Sequence, residues 1–168
     1  MMRTVSLFRD RCGSAAAEMA LVAPLLCAIL IGSVELGNFF YKEHILMKAV
    51  RDGARYAARQ SFVNYGCSGA PTGTVVATTR ALVRTSLLAG SDRFSDIQDT
   101  DISLTTNCRT TLGTQDMRNG IYRNMTTGAP IIRVDAVVNY TPVIGAAFGF
   151  SGAGYKLHAS QEAAVMGI

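Results

Sequence analysis

The order of apolar and polar positions divides the chain into three stretches. In the first, residues 11–38 (RCGSAAAEMALVAPLLCAILIGSVELGN), no polar stripe interrupts the apolar run. From Ser14 to Val34 there are 21 residues, and Glu18 alone carries a charge. A helix inside a soluble domain keeps a polar face; this one has none. At about 1.5 Å of rise per residue the run covers roughly 30 Å, the hydrocarbon thickness of a bilayer. It predicts a single membrane-spanning helix, with its transmembrane part at about 14–36. In the second stretch the pattern changes without a break. Phe39, Phe40 and Tyr41 form an aromatic patch where the membrane interface is expected. Ala49, Gly53 and Ala57 recur every four residues, with Ile45, Leu46, Val50 and Ala54 near the same face. Lys48, Asp52, Arg55 and Arg59 are left for solvent, so the helix is expected to continue, now amphipathic, to about Gln60.

The third stretch, 61–168, reads as a small head domain built from shorter elements. Residues 64–73 (NYGCSGAPTG) are dense in turn formers and mark a loop. Residues 74–89 (TVVATTRALVRTSLLA) suggest a second helix stopped by Gly90, although the β-branched residues oppose it. Ile102, Leu104 and Thr106 alternate with polar neighbours, a strand signal. Residues 109–120 are expected to be a loop, with Asn119-Gly120 as its turn, and 122–126 a short strand. Residues 131–140 (IIRVDAVVNY), rich in β-branched side chains, form the best strand, ended by Pro142. Residues 143–154 (VIGAAFGFSGAG) read as an apolar, glycine-rich loop, a candidate contact with membrane or partner, and 155–165 as a closing strand. The fold class is α+β: a long N-terminal helix packed on a small antiparallel sheet with one further helix.

Composition narrows the partners. The chain has 168 residues, a net charge of +4 and a pI near 9.0. The excess sits in residues 1–13 (Arg3, Arg9 and Arg11 against Asp10) and around 42–59, beside the span. That placement points to a membrane flank and not to nucleic acid. Residues 1–13 form a basic leader, which the positive-inside rule places in the cytoplasm, with the head on the other side. The second flank is also basic, but Glu43 and Asp52 dilute it. A secretory signal peptide would need a shorter apolar core and a small-x-small site before a polar mature start.

Glu18 is expensive at mid-bilayer and less so near the edge, where it can snorkel to the interface. A second reading starts from the break between Gly13 and Ser14. A cut there would give Ser14 a free α-amino group, positive at neutral pH. Glu18 would then lie four residues along the helix from that amine, within reach of it or of the amine of a stacked copy.

This arrangement resembles the cleavage signal of type IV prepilins. The continuation, Gly13-Ser14-Ala15-Ala16-Ala17-Glu18-Met19-Ala20-Leu21, Pro24, Glu35-Leu36-Gly37 and Ala54-Arg55-Tyr56-Ala57-Ala58-Arg59, is similar to the TadE-like family of minor pseudopilins of the Flp (tight adherence, Tad) pilus. Met19 stands where that family commonly has Phe. The likeness covers residues 11–60; the remainder agrees in size and texture. It implies a pilin-like fold, cleavage between Gly13 and Ser14 by a prepilin peptidase, and recruitment into the assembly through Glu18. It further implies contact with other pilins and pseudopilins through the N-terminal helix, with the inner-membrane assembly platform and with the lipid bilayer. The chain would sit in the bacterial inner membrane, head in the periplasm, and act in initiating or capping the pilus. The bulk pilins of such systems are much shorter and lack a head of this size.

Within the span, Pro24 removes one helical hydrogen bond and is expected to kink the helix or melt a turn. Ala28-x-x-x-Gly32 and Ser33-x-x-x-Gly37 place small residues where a second helix approaches closely; ordinary Gly/Ala content of a span gives the same spacing. Of the four cysteines, Cys12 would leave with the leader and Cys27 is a small apolar filler. Cys67 and Cys108 fall in the exported part, where a disulfide between them is the natural reading; free thiols or a bridge to another chain are the alternatives. Chemistry beyond this is sparse. His44 and His158 have no neighbouring nucleophile, and two cysteines with two distant histidines match no zinc spacing. Gly149-x-x-Gly152-x-Gly154 lacks the strand, helix and Lys-Ser/Thr of a phosphate loop. Asp92, Asp96, Asp99 and Asp101 lack the glycine and terminal Glu of a calcium loop. No catalytic residue, cofactor or metal is expected. The competing class is a single-pass anchored protein with a periplasmic binding head, neither processed nor polymerised.

Overall fold

The architecture is that of a computed structural model, which describes residues 12–85, 97–112, 115–116, 118, 120–145 and 154–167. Residues 1–11 of the leader, the helix stop at Gly90, Asp92, Asp96, Asn119 and most of the glycine-rich loop (146–153) lie outside the described residues.

One helix, α1 (Cys12–Ala58), carries the first two stretches without interruption. Its 47 residues correspond to roughly 70 Å. It passes through Pro24, so the melted turn expected there does not form. The ring costs the single amide that Ala20 would have received, and the turns on either side hold. Ser33 turns its hydroxyl back to the Ile29 carbonyl at 2.8 Å, which satisfies a polar group on an apolar surface.

The second half of α1 buries Leu46, Ala49, Val50, Gly53, Ala54, Ala57 and Ala58, a stripe at three- and four-residue spacing. It lies on the three-stranded antiparallel sheet β1 (Ile102–Arg109), β4 (Ala129–Asn139) and β5 (Lys156–Ala164), in the order β1-β4-β5. Register places Leu104 opposite Val134 and Val138 opposite Leu157. Ile102, Leu104, Ile132, Val134, Ala136, Val138, Leu157 and Ala159 all point into the core under the helix. The opposite face is polar and wet: Arg133 meets Asp135 at 2.9 Å and Arg109 meets Glu162 at 3.6 Å. Such exposed pairs add little stability; their role is to keep that face in water.

The second helix, α2 (Val75–Thr85), buries Val75, Thr79 and Val83. It crosses α1 at Gly53, where a methyl group would come within 2.7 Å of Val83 Cγ2. The four-residue recurrence of small residues in α1 therefore includes a helix-crossing point. The predicted loop at 109–120 contains a minimal hairpin, β2 (Thr111–Leu112) and β3 (Gln115–Asp116). The strand predicted at 122–126 is absent. Gly120–Tyr122 is a 3-10 turn, because Tyr122 points its phenol at the Val165 carbonyl (2.7 Å) and stacks edge-on against Phe62 instead of joining the sheet.

Cys67 and Cys108 form a disulfide with Cα atoms 4.8 Å apart, as the exported context suggested. It ties the loop after α1 to the end of β1, helped by the Thr106 amide on the Gly69 carbonyl at 2.7 Å. The end of α1 is capped from two directions: the Tyr65 phenol donates to the Ala57 carbonyl and the Met166 amide to that of Ala58 at 2.7 Å. Burial pushes the Tyr65 phenol up to about 12.

Candidate functional site

The first half of α1 leaves the head. Met19, Leu21, Leu25, Leu26, Ile29, Leu30 and Val34 are all exposed, and no part of the most apolar window of the helix is buried. Exposing this much apolar surface to water would cost about 25 cal/mol for each Å², so the segment calls for lipid or other helices. It is long and apolar enough to cross a membrane.

The sequence-predicted residues lie along this free segment. Gly13 and Ser14 stand exposed in the opening turn of α1, and Glu18 is exposed one turn on. Among the described residues Glu18 has no hydrogen-bond or ion-pair partner. Pro24, Ala28, Gly32 and Gly37 are exposed, and a methyl group added at Gly13, Gly32 or Gly37 would meet nothing within 4 Å. Cys27 is a free thiol on the same surface. The chain thus brings Cys67 and Cys108 together, and the span residues meet no part of the head among the described residues.

A group of residues that the patterning did not single out for this role joins the span to the head. The Glu35 carboxylate accepts the amides of Val143 (3.1 Å), Ile144 (2.9 Å) and Gly145 (3.1 Å). It also accepts the phenol of Tyr140. Asn38 donates to that phenolic oxygen at 2.9 Å. Phe39 packs edge-on against the Tyr140 ring at 5.2 Å, and the Lys42 ammonium sits 5.1 Å above it. Lys42 also donates to the Thr141 carbonyl at 3.1 Å. Burial, followed by the neighbouring Glu35 carboxylate, raises the Tyr140 phenol above its usual range.

Residues 35, 38, 39 and 42 fall on one helical face, so they extend the buried stripe of 46–58 back toward the membrane. Phe39 is therefore part of the head contact, and only Phe40 and Tyr41 of the aromatic patch remain exposed. The sequence signal was available: Glu35, Asn38 and Lys42 are polar residues at three- and four-residue spacing, in phase with Leu46 and Val50. What it lacked was the partner, between 98 and 110 positions away.

The remaining chemical candidates have local roles. Asp99 pairs with Arg84 at 3.1 Å, and Asp101 accepts the Gln98 amide at 2.9 Å in a capping box. His44 and His158 are exposed. A shallow groove of about 450 Å³ between α1 and β5 is lined by Arg51, Arg55, Gln161 and Glu162, which assemble no nucleophile with its base.

The described residues form a two-layer α+β head carried on a long helix whose outer half is apolar, exposed and long enough to cross a membrane. The family model described as TadE-like protein matches residues 13–55, the free segment, the Glu35 contact and most of the buried stripe, as the sequence resemblance indicated. The likeness is thus confined to the long helix, about a quarter of the chain. No curated protein and no solved structure matches the chain.

Proposed function

We propose that this chain is a minor pseudopilin of a Flp/Tad type IV pilus, with a structural and not an enzymatic role. A prepilin peptidase cuts between Gly13 and Ser14. The helix holds the product in the inner membrane with the head in the periplasm. The processed subunit then packs with other pilins on the inner-membrane assembly platform to initiate or cap the pilus.

The observation that carries this reading is the exposed apolar half of α1, continuous with the head and lying within residues 13–55, which the TadE-like family model matches. Among the described residues Glu18 has no companion, and the new amine at Ser14 would supply one at the four-residue spacing. Ala28, Gly32 and Gly37 offer close approach to a neighbouring helix, and Pro24 tolerates its missing amide bond where neighbours surround it.

Mass spectrometry of the N-terminus, from cells with and without the prepilin peptidase, tests the proposal. Ser14 is the expected first residue when the peptidase is present, and the uncut chain when it is absent. Chains that keep Met1 in piliated cells would return the protein to the class of plain membrane-anchored binding proteins. Glu18→Ala is expected to be cut normally and then to fail to enter the assembly.

A further inference from the structure

The contact at Glu35 joins the end of the free apolar segment to the head. The free apolar run ends at Val34, and among the described residues the first hydrogen bonds to the head come one residue later, at Glu35. No spacer separates lipid-matched helix from folded domain. We infer that the head is seated directly on the bilayer, with Val143 and Tyr155 immersed in the interfacial layer as a second membrane contact beside the helix. The inference rests on the membrane-anchor part of the proposed function.

Three observations place these side chains there. The Val143 amide is held 3.1 Å from the Glu35 carboxylate, while the Val143 side chain is 63% exposed. The Tyr155 carbonyl accepts the amide of Tyr140 at 2.9 Å, and Tyr140 itself is fastened to Glu35, so Tyr155, 67% exposed, shares that height. Phe40 and Tyr41 are exposed on the helix just past it, and the exposed Lys156 follows Tyr155. Amphipathic rings, an aliphatic side chain and a lysine at one level have the composition of a bilayer interface.

Backbone chemistry points the same way. A loop entering the interface must find partners for its amides away from water. Glu35 satisfies three consecutive ones, at Val143, Ile144 and Gly145, leaving the Val143 side chain outward. Among the described residues, the exposed apolar side chains Val63, Ile121 and Met166 of the head lie past the far end of α1, about 35 Å away at 1.5 Å per residue.

The chain has no tryptophan, so a single introduced one reports its own surroundings. Full-length V143W, Y155W, L25W and V63W are reconstituted into vesicles of phosphatidylcholine and phosphatidylglycerol carrying bromine either shallow or deep in the acyl chains. V143W and Y155W are expected to lose emission most with shallow bromine, L25W most with deep bromine, and V63W with neither. If L25W keeps its emission, the anchor is overturned and the seat with it. If L25W is quenched while V143W and Y155W behave like V63W, the seat alone is overturned; a blue-shifted V143W that bromine leaves bright has the same meaning, with protein covering it. Adding Glu35→Gln to V143W is expected to reduce its shallow quenching and leave L25W unchanged. Undiminished quenching there would remove Glu35 as the residue that sets the loop's height.

Discussion

The two halves of α1 invert the usual relation between hydropathy and burial. The more apolar half, from Ser14 to Val34, is almost entirely exposed, whereas the more polar half buries Leu46, Val50, Ala54 and Ala57 completely. In a soluble protein the apolar segment would be the first to seek the core. The inversion teaches that the two halves answer to different solvents. The second half earns its place by packing on the sheet, and the first by matching an environment outside the monomer.

The sharpest way to break this contrast is to make one substitution in both halves. Leu46→Ala is expected to destabilise the head by about 2–5 kcal/mol, because it opens a cavity under fully buried neighbours. Leu26→Ala, in the free half, is expected to move the head's stability by no more than about 0.5 kcal/mol. Denaturant unfolding of the full chain in detergent, followed by a head signal, measures both. Equal losses would mean that the free half is packed on the head.

The disulfide ranks next. It closes a sequence separation of 41 residues, and loop-closure entropy gives it about 3–4 kcal/mol. Cys67→Ser is expected to lose that amount in the same unfolding experiment and to leave membrane retention of the chain unchanged.

Gly53→Ala follows. A methyl group there would stand 2.7 Å from Val83 Cγ2 and 3.2 Å from Thr79 Cγ2, so α2 must shift, at about 1–3 kcal/mol. Ala improves helix propensity, and Gly32→Ala, with open space around it, is the matched control. The midpoint is expected to fall for the first variant and hold for the second.

The smallest effect depends on pH. Burial raises the Tyr65 phenol from 10.0 to about 12. The folded state therefore favours the neutral form, and its contribution is complete below pH 10 and lost as pH climbs toward 12. Tyr65→Phe is expected to flatten that alkaline loss, read as midpoint against pH.

Much of the architecture was legible because it depends on local period. The apolar run, the stripe at 46–58, the alternation at Ile102, Leu104 and Thr106 and the β-branched run at 131–140 each declare an element within a few residues. Errors came where a tertiary contact overrode a local preference. Residues 122–126 have strand-forming character, yet Tyr122 is claimed by Val165 and Phe62. Phe39 looks like its neighbours Phe40 and Tyr41, yet it alone sits on the face that meets Tyr140. Residues 109–120 show turn chemistry, and the short pairing of Thr111 with Asp116 within them is too brief to leave a pattern.

The candidate site divides in the same way. Gly13, Ser14 and Glu18 were singled out from the sequence, since the proposed cleavage signal is a pattern of neighbouring residues and needs no tertiary contact to be read. The sequence by itself determined that a lipid-length helix runs into an amphipathic one and that a small β-rich head follows. Only the tertiary structure decided that Glu35 is a latch for the head, that Gly53 is a crossing point, and that the head begins where the apolar run ends. The physical reason is that a hydrophobic period is written in neighbouring residues. A carboxylate gains its meaning from the amides it meets, and those of Val143, Ile144 and Gly145 reach Glu35 only after the sheet has folded against the helix.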